Sequence, residues 1–255
     1  MARIKCLLSY DGTNYAGFQF QPNQRTVQGI IEDALTDFHK GTWTRIQASG
    51  RTDSGVHARG QVFHFDSSFN IPDTGWQRAL NTLLPDDLYI HKANKVADDF
   101  HARYSAVEKE YHYFVYTGER NVFKRNYTHH VPQPLNLDAM RDACRRLVGT
   151  HDFTTFSSAK MTAKGSCVRI LHEARIEEQA ETLEFIFRGN GFLYNMVRLI
   201  MGVVLDIGRG KFEPNIIDEM LEKKDRQIHR KTAPPQGLFL WTVNYPEDKT
   251  DVQEN

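Results

Sequence analysis

The strongest chemical potential in this chain lies in a short glycine-bracketed segment, Ser49-Gly50-Arg51-Thr52-Asp53-Ser54-Gly55. A carboxylate can act as nucleophile or base. Glycine tolerates backbone conformations closed to other residues, so such a loop can hold Arg51 and Asp53 in one pose. A polar turn with a local ion pair is the alternative that the pattern leaves open. A second feature is aromatic: Tyr111, Tyr113 and Val115 share one strand face, and His112, Phe114 and Tyr116 the other. Rings on a sheet stack on unstacked bases, at about 1–3 kcal/mol each, or they simply build core. The third feature is Arg198, the single charged residue from Gly189 to Leu205. Its helix is apolar nearly all round and is expected to be buried. A cation there needs an acid or a phosphate, in a structural ion pair or in a site.

Other chemistries lack their signatures. Eleven histidines are scattered without H-E-x-x-H or another metal spacing. No P-loop, no G-x-G-x-x-G after a strand and no G-x-S-x-G elbow occurs. A chemistry that needs neither cofactor nor metal fits best.

The elements that must position these residues follow one order twice. Ile4 to Tyr10 alternates Ile4, Cys6, Leu8 and Tyr10 on one face and stops at Asp11-Gly12, a strand and a turn. Thr26 can cap a helix with apolar positions Val27, Ile30, Ile31, Ala34, Leu35 and Phe38. A short strand near Arg45 to Ala48, the glycine-flanked loop and a strand at Gln61 to Asp66 come next. A helix through Trp76, Leu80, Leu83 and Leu84, ended by Pro85, and a strand from Leu88 to Val96 close the unit.

The second half has a strand at Glu110 to Tyr116 and a helix carrying Leu137, Met140, Cys144, Leu147 and Val148 that ends at Gly149. Strands follow at Val168 to Glu177 and Thr182 to Gly189. A helix then carries Phe192, Leu193, Met196 and the apolar positions to Ile207. A short helix near Ile216 to Leu221 precedes a last strand, Leu238 to Tyr245. This is β-α-β-β-α-β twice, an α+β chain of two ferredoxin-like halves with a mostly antiparallel sheet and an active-site cleft between them. The expected halves are 1–105, holding the catalytic loop 49–58, and 106–248. Residues 249–255 are expected to be a disordered polar tail.

The chain has 255 residues, 40% of them hydrophobic, enough for an ordinary core. No stretch approaches the roughly 20 apolar residues of a membrane span, and Met1 to Leu8 has no signal pattern, so a soluble cytoplasmic protein is expected. Cys6, Cys144 and Cys167 are far apart and odd in number, which points to reduced thiols. Lys+Arg and Asp+Glu are 32 each. Any nucleic-acid contact must therefore come from local patches. Two candidates are Arg120, Lys124, Arg125, His129 and His130, and Lys223, Lys224, Arg226, His229, Arg230 and Lys231; solvated surface charge is the alternative for each.

The segment Gly50-Arg51-Thr52-Asp53-Ser54-Gly55-Val56-His57-Ala58 resembles the tRNA pseudouridine synthase A family. The resemblance runs along nearly the whole chain. It includes Tyr10-Asp11-Gly12-Thr13, Gly17-Phe18-Gln19, Thr26-Val27-Gln28, Phe100-His101-Ala102-Arg103 and Lys109-Glu110-Tyr111-His112-Tyr113. His151-Asp152-Phe153, Asn195-Met196-Val197-Arg198 and Ala233-Pro234-Pro235-Gln236-Gly237-Leu238 continue it. Ser54 stands where the family often has Ala, and Phe18 where Trp is common.

The resemblance implies the pseudouridine synthase fold, a cofactor-free homodimer, and uridines of the tRNA anticodon stem-loop (positions 38, 39 and 40) as substrate, with Asp53 as the catalytic carboxylate. Tyr111 then contacts the base, Arg198 is the active-site arginine, Arg51 assists base flipping and Leu238 packs beneath the base. Asp53 can attack C1′ or remove a ribose proton to give a glycal. Two other classes use the same architecture: a non-catalytic RNA-binding module and a small-molecule enzyme.

Overall fold

The computed structural model describes residues 1–157 and 166–246. The expected tail, 249–255, lies outside the described residues. The fold is mixed α+β, and its described residues fall into two compact units: 1–107 with 239–246, and those between 108 and 238.

In the first unit, β1 (Ala2–Tyr10) lies between β3 (His57–Ser67) and β4 (Leu88–Val96), antiparallel to both. The short β2 (Gln47–Ala48) pairs with β3. The period-2 alternation of β1 is real: Ile4, Cys6, Leu8 and Tyr10 are buried and their neighbours are partly open. Helix α1 (Val27–Phe38) begins where Thr26 accepts a hydrogen bond from Gly29 N, satisfying a donor that the first turn leaves orphaned. Its stripe buries Val27, Ile31, Ala34 and Leu35. Helix α2 (Asp73–Leu83) stops because Leu84 is extended, as a residue before proline must be. Phe38 and Phe65 each pack against Trp76 with ring centroids 5.3 Å apart. Trp76 is fully buried, and truncating such a ring to Ala costs about 3–5 kcal/mol.

The last strand, β10 (Leu238–Asn244), runs parallel to β3, with Phe239 opposite His57 and Leu240 opposite Ala58. Chain order alone assigns this strand to the second half; its pairing carries it back to the first. That pairing also explains why β3 starts at His57, four residues before the expected Gln61.

In the second unit, β9 (Thr182–Gly189) lies between β5 (Glu108–Tyr116) and β8 (Val168–Gln179), antiparallel to both. β7 (Gly149–Asp152) extends β8 at the edge, and β6 (His129–His130) runs parallel to β5. Helix α3 (Leu137–Leu147) packs against α4 (Met196–Gly208), where a Cβ at Gly208 would lie 2.9 Å from Met140 Cγ. Helix α5 is short (Ile216–Lys223).

Helix α4 starts later than its apolar pattern suggests. Asn195, at φ 62°, is left-handed, so Phe192 and Leu193 precede the helix. Every residue of α4 except Arg198 is buried. Cys6 and Cys144 are buried and Cys167 is partly open; none is in a disulfide, and burial pushes the Cys144 thiol up to about 12. No helix among the described residues is long and apolar enough to cross a membrane.

Candidate active site

The Asp53 loop connects β2 to β3, and main-chain bonds hold it along its length. At its start Ser49 N donates to Val62 O (2.7 Å), Ser49 Oγ to Gln61 Oε1 (2.6 Å), and Gln61 Nε2 to Gly50 O (3.1 Å). In its middle Phe18 N donates to Thr52 O (3.0 Å), and the Tyr10 hydroxyl shares a 2.8 Å hydrogen bond with Thr52 Oγ1. Past Asp53, Ser54 Oγ and Gly55 N both donate to Tyr15 O, at 3.1 and 3.3 Å.

Asp53 itself opens a tight turn. Val56 N donates to Asp53 O (3.1 Å), and Gly55, the third residue of the turn, has φ 75°. Ser54 is not left-handed, so this is the type II pattern, which favours glycine at that position. Asp53 is half-buried, between the buried Thr52 and the exposed Ser54; Arg51 is exposed.

The segment from Asp11 to Phe18 is packed hard against this loop. A Cβ on Gly12 would lie 2.6 Å from the Val56 carbonyl carbon and nearer still to its oxygen. A Cβ on Gly17 would lie 3.0 Å from Thr52 O and 3.2 Å from Ser54 N, and Gly17 also has φ 103°. Gly12 N donates to His57 Nδ1 (3.0 Å). Asp11 Oδ1 also lies 3.2 Å from that nitrogen, and the His57 ring is buried and stacks on Phe239 at 4.5 Å. Burial pushes the Tyr10 phenol above its ordinary range, so it stays neutral and serves as a brace. These bracing residues carry no chemical signature of their own. The one sequence signal for them is the close company of Tyr10-Asp11-Gly12 and Gly17 with a second glycine-bracketed loop.

In the second unit Tyr111 and Tyr113 are both buried on β5. Tyr111 meets Phe192 edge to face, with centroids 5.0 Å apart. Tyr113 donates its hydroxyl to Pro234 O (2.9 Å). Burial raises its pKa, and the Arg198 charge opposes that rise only partly.

Arg198 is half-buried in the first turn of α4. Its Nε donates to Ala233 O (2.9 Å), and Ala233 N donates to Arg198 O (2.9 Å). This reciprocal pair ties the guanidinium plane to the main chain. Its Nη1 lies 3.5 Å from Asn195 Oδ1, and the two Nη groups form a planar fork of the kind suited to a carboxylate or phosphate. Leu238 is buried at the head of β10, after a tight turn at Pro235–Gly237. A Cβ on Gly237 would lie 2.8 Å from Phe114 O and 2.9 Å from Tyr113 Cζ. The Ala233-to-Leu238 run is thus a brace that links Arg198, Tyr113 and Leu238. Arg198 stands out in the sequence by its charge and Leu238 through the resemblance alone, while Tyr113 shares the Tyr111 strand face, where rings stack or build core. Among the described residues no group of three or more His, Cys, Asp or Glu could hold a metal ion.

A family model described as tRNA pseudouridine synthase matches residues 7–105 and 143–246. A tRNA pseudouridine synthase A from Oceanobacillus iheyensis is 56% identical over 253 residues, covering 99% of this chain and 100% of that protein. The tRNA pseudouridine synthase A of Anoxybacillus flavithermus is 53% identical over 245 residues, covering 96% of this chain and 99% of its own. One from a Geobacillus strain is 53% identical over 244 residues, covering 95% and 98%.

Proposed function

Because the chain belongs to the tRNA pseudouridine synthase family, and so isomerises uridine to pseudouridine in tRNA, we propose that Asp53 carries the bond exchange on uridines 38, 39 and 40 of the anticodon stem-loop. The N1–C1′ bond breaks, the uracil turns, and a C5–C1′ bond forms; C5 loses a proton and N1 gains one. No electron is transferred and no water is consumed. Asp53 either attacks C1′ and is displaced when C5 bonds, or takes a ribose proton to leave a glycal and returns it.

A stem uridine must first leave the stack, at a cost of a few kcal/mol. Arg51, exposed on the Asp53 loop, assists that flipping. Tyr111 and Leu238 hold the detached ring, and Arg198 orients charge at the reacting centre. The enzyme works in the cytoplasm as a homodimer, without a cofactor. The observation that carries the assignment is the loop itself: a half-buried carboxylate at the corner of a turn whose backbone is pinned before, at and after Thr52. Such fixed placement is what a covalent or proton-transfer role at one carbon requires.

The test is incubation with unmodified tRNA, then chemical mapping of pseudouridine. Wild-type protein is expected to modify the anticodon arm at those positions. Asp53→Asn keeps the shape but loses the charge and nucleophilicity; it is expected to bind tRNA normally and form no product. Product at near wild-type rate from Asp53→Asn refutes the role given to this residue. Product confined to another arm refutes the site.

A further inference from the structure

Helix α4 carries a polar stripe at four-residue spacing, Arg198, Gly202 and Asp206, about 12 Å from end to end at 1.5 Å per residue. The segment His229–Ala233 is laid along that stripe. Ala233 is bonded to Arg198 at one end. In the middle, a Cβ on Gly202 would run into the Lys231 carbonyl and come within 3.2 Å of His229 Cε1. At the far end His229 Nε2 lies 3.4 Å from Asp206 Oδ2. The absent side chain at Gly202 is what lets this segment approach so closely.

Asp206 is buried and organises cations. Arg209 Nη1 and Lys211 Nζ both lie 3.1 Å from its Oδ1. They hold its carboxyl below the usual range against the opposing effect of burial, with help from His229 and the nearby Lys231. Two permanent cations thus contact one carboxylate, and a third, Lys231, is near enough to act on it by charge, an excess of positive charge. His129 shows the same field: burial, then the charges of Arg209 and Lys231, push it down to about 4, so it is neutral at physiological pH. Lys211 and Lys231 are exposed.

The other half of this basic run differs. Lys223 pairs with Glu219, Lys224 lies 3.2 Å from Asp152, and Arg226 is spent on Ser157. Those cations are matched one for one or used internally. Lys231, Arg209 and Lys211 outnumber their carboxylate, and they lead along α4 to Arg198.

We propose that Lys231, Arg209 and Lys211 form an RNA phosphate track, which seats the backbone of the strand whose uridine is delivered to Arg198. Asp206 holds the track's cations in place, and the 229–233 segment connects it to the site. The inference rests on the tRNA reading above and names the surface that binds that substrate. Lys231 and Lys211 are exposed, and Asp206 keeps Arg209 and His229 when Lys211 is replaced, so their replacement should leave the fold intact.

The experiment measures binding of unmodified tRNA across a salt series, with pseudouridine formation assayed on the same tRNA. Every RNA phosphate that the protein no longer neutralises lowers the slope of log K against log salt by about 0.7 to 0.9. Lys231→Ala combined with Lys211→Ala is therefore expected to lower the slope by about 1.4 to 1.8, to weaken binding and raise KM, and to leave kcat near wild type. With Lys211→Ala kept, Lys231→Arg should restore about half of that loss. Lys223→Ala with Lys224→Ala should change neither slope nor affinity. An unchanged slope in the first pair overturns the track, as does an equal loss in the second pair, which would mean only general charge. A wild-type protein that forms no pseudouridine overturns the tRNA reading, and the track falls with it. Product at the wild-type rate with an unchanged slope sinks the track alone.

Discussion

Replacing Gly12 with alanine tests whether the Asp53 loop depends on being clamped. The new Cβ would sit 2.6 Å from the Val56 carbonyl carbon and closer to its oxygen, and backbone atoms cannot swing away as a flexible side chain can. Ordinary contact begins near 3.4 Å, so one of the two segments must move by roughly 1 Å, the scale of misplacement that costs on the order of 100-fold in rate. Overpacking of this kind costs about 1–3 kcal/mol. Strain on the Gly12 N–His57 Nδ1 bond adds about 0.5–1.5 kcal/mol.

Gly12→Ala is thus expected to lose about 1.5–4.5 kcal/mol of stability. Its single-turnover rate should fall by about 100-fold, while tRNA affinity stays close to wild type. Urea unfolding and single-turnover conversion at saturating enzyme report the two effects separately. Gly75→Ala is the control: its Cβ would meet only Ile71 and Pro72 side-chain atoms at 3.7 Å, and its rate should not change. If Gly12→Ala is less stable yet converts bound tRNA at the wild-type rate, the clamp supports the fold but does not position Asp53.

Arg198→Lys keeps the charge but loses the Nε bond to Ala233 O and the planar fork. It should slow the chemical step far more than it weakens tRNA binding; equal binding and turnover in the variant would remove Arg198 from the site. Stability should also depend on pH. Burial, then the charges of Arg3 and His101, hold His64 down to about 4 from an ordinary 6.5, and His129 is lowered similarly. Between those values the unfolded chain takes up protons that the folded chain refuses, so stability falls as pH drops from 6.5 toward 4 and is unaffected by these groups above that window. Thermal melts at pH 7 and 5 should show the drop, and His64→Gln should flatten it; an identical slope in the variant counts against His64 as a source. Exhaustive chelation should leave turnover of pre-folded tRNA unchanged, because an isomerisation that transfers no electron and consumes no water needs no Lewis acid. Activity lost and then restored by one transition metal contradicts that chemistry.

Elements whose cause is local were legible in the sequence. The stripe and Thr26 cap of α1, the alternation of β1, and the bounds of β4 and β9 all follow from residues within a turn or two of each other. Asp53 and Arg198 are reactive or costly residue types in settings that their immediate neighbours define, whereas Tyr111 is singled out from Tyr113 by the resemblance alone.

Causes that lie far along the chain were not legible. No periodicity announces that β10 pairs in parallel with β3, some 180 residues earlier in the chain, because the partners' hydrogen-bonding groups are alike in every strand. The late start of α4 turns on a left-handed Asn195 inside an apolar pattern that reads as continuous helix. The clamp of Gly12 and Gly17 on the Asp53 loop depends on two backbones meeting at less than side-chain distance. The basic run from Lys223 to Lys231 looks uniform as a string. Only folding separates Lys223 and Lys224, matched by nearby carboxylates, from His229 and Lys231, which lie near Asp206 beside Arg209 and Lys211, because charge balance is set by distance in space and not by spacing in sequence.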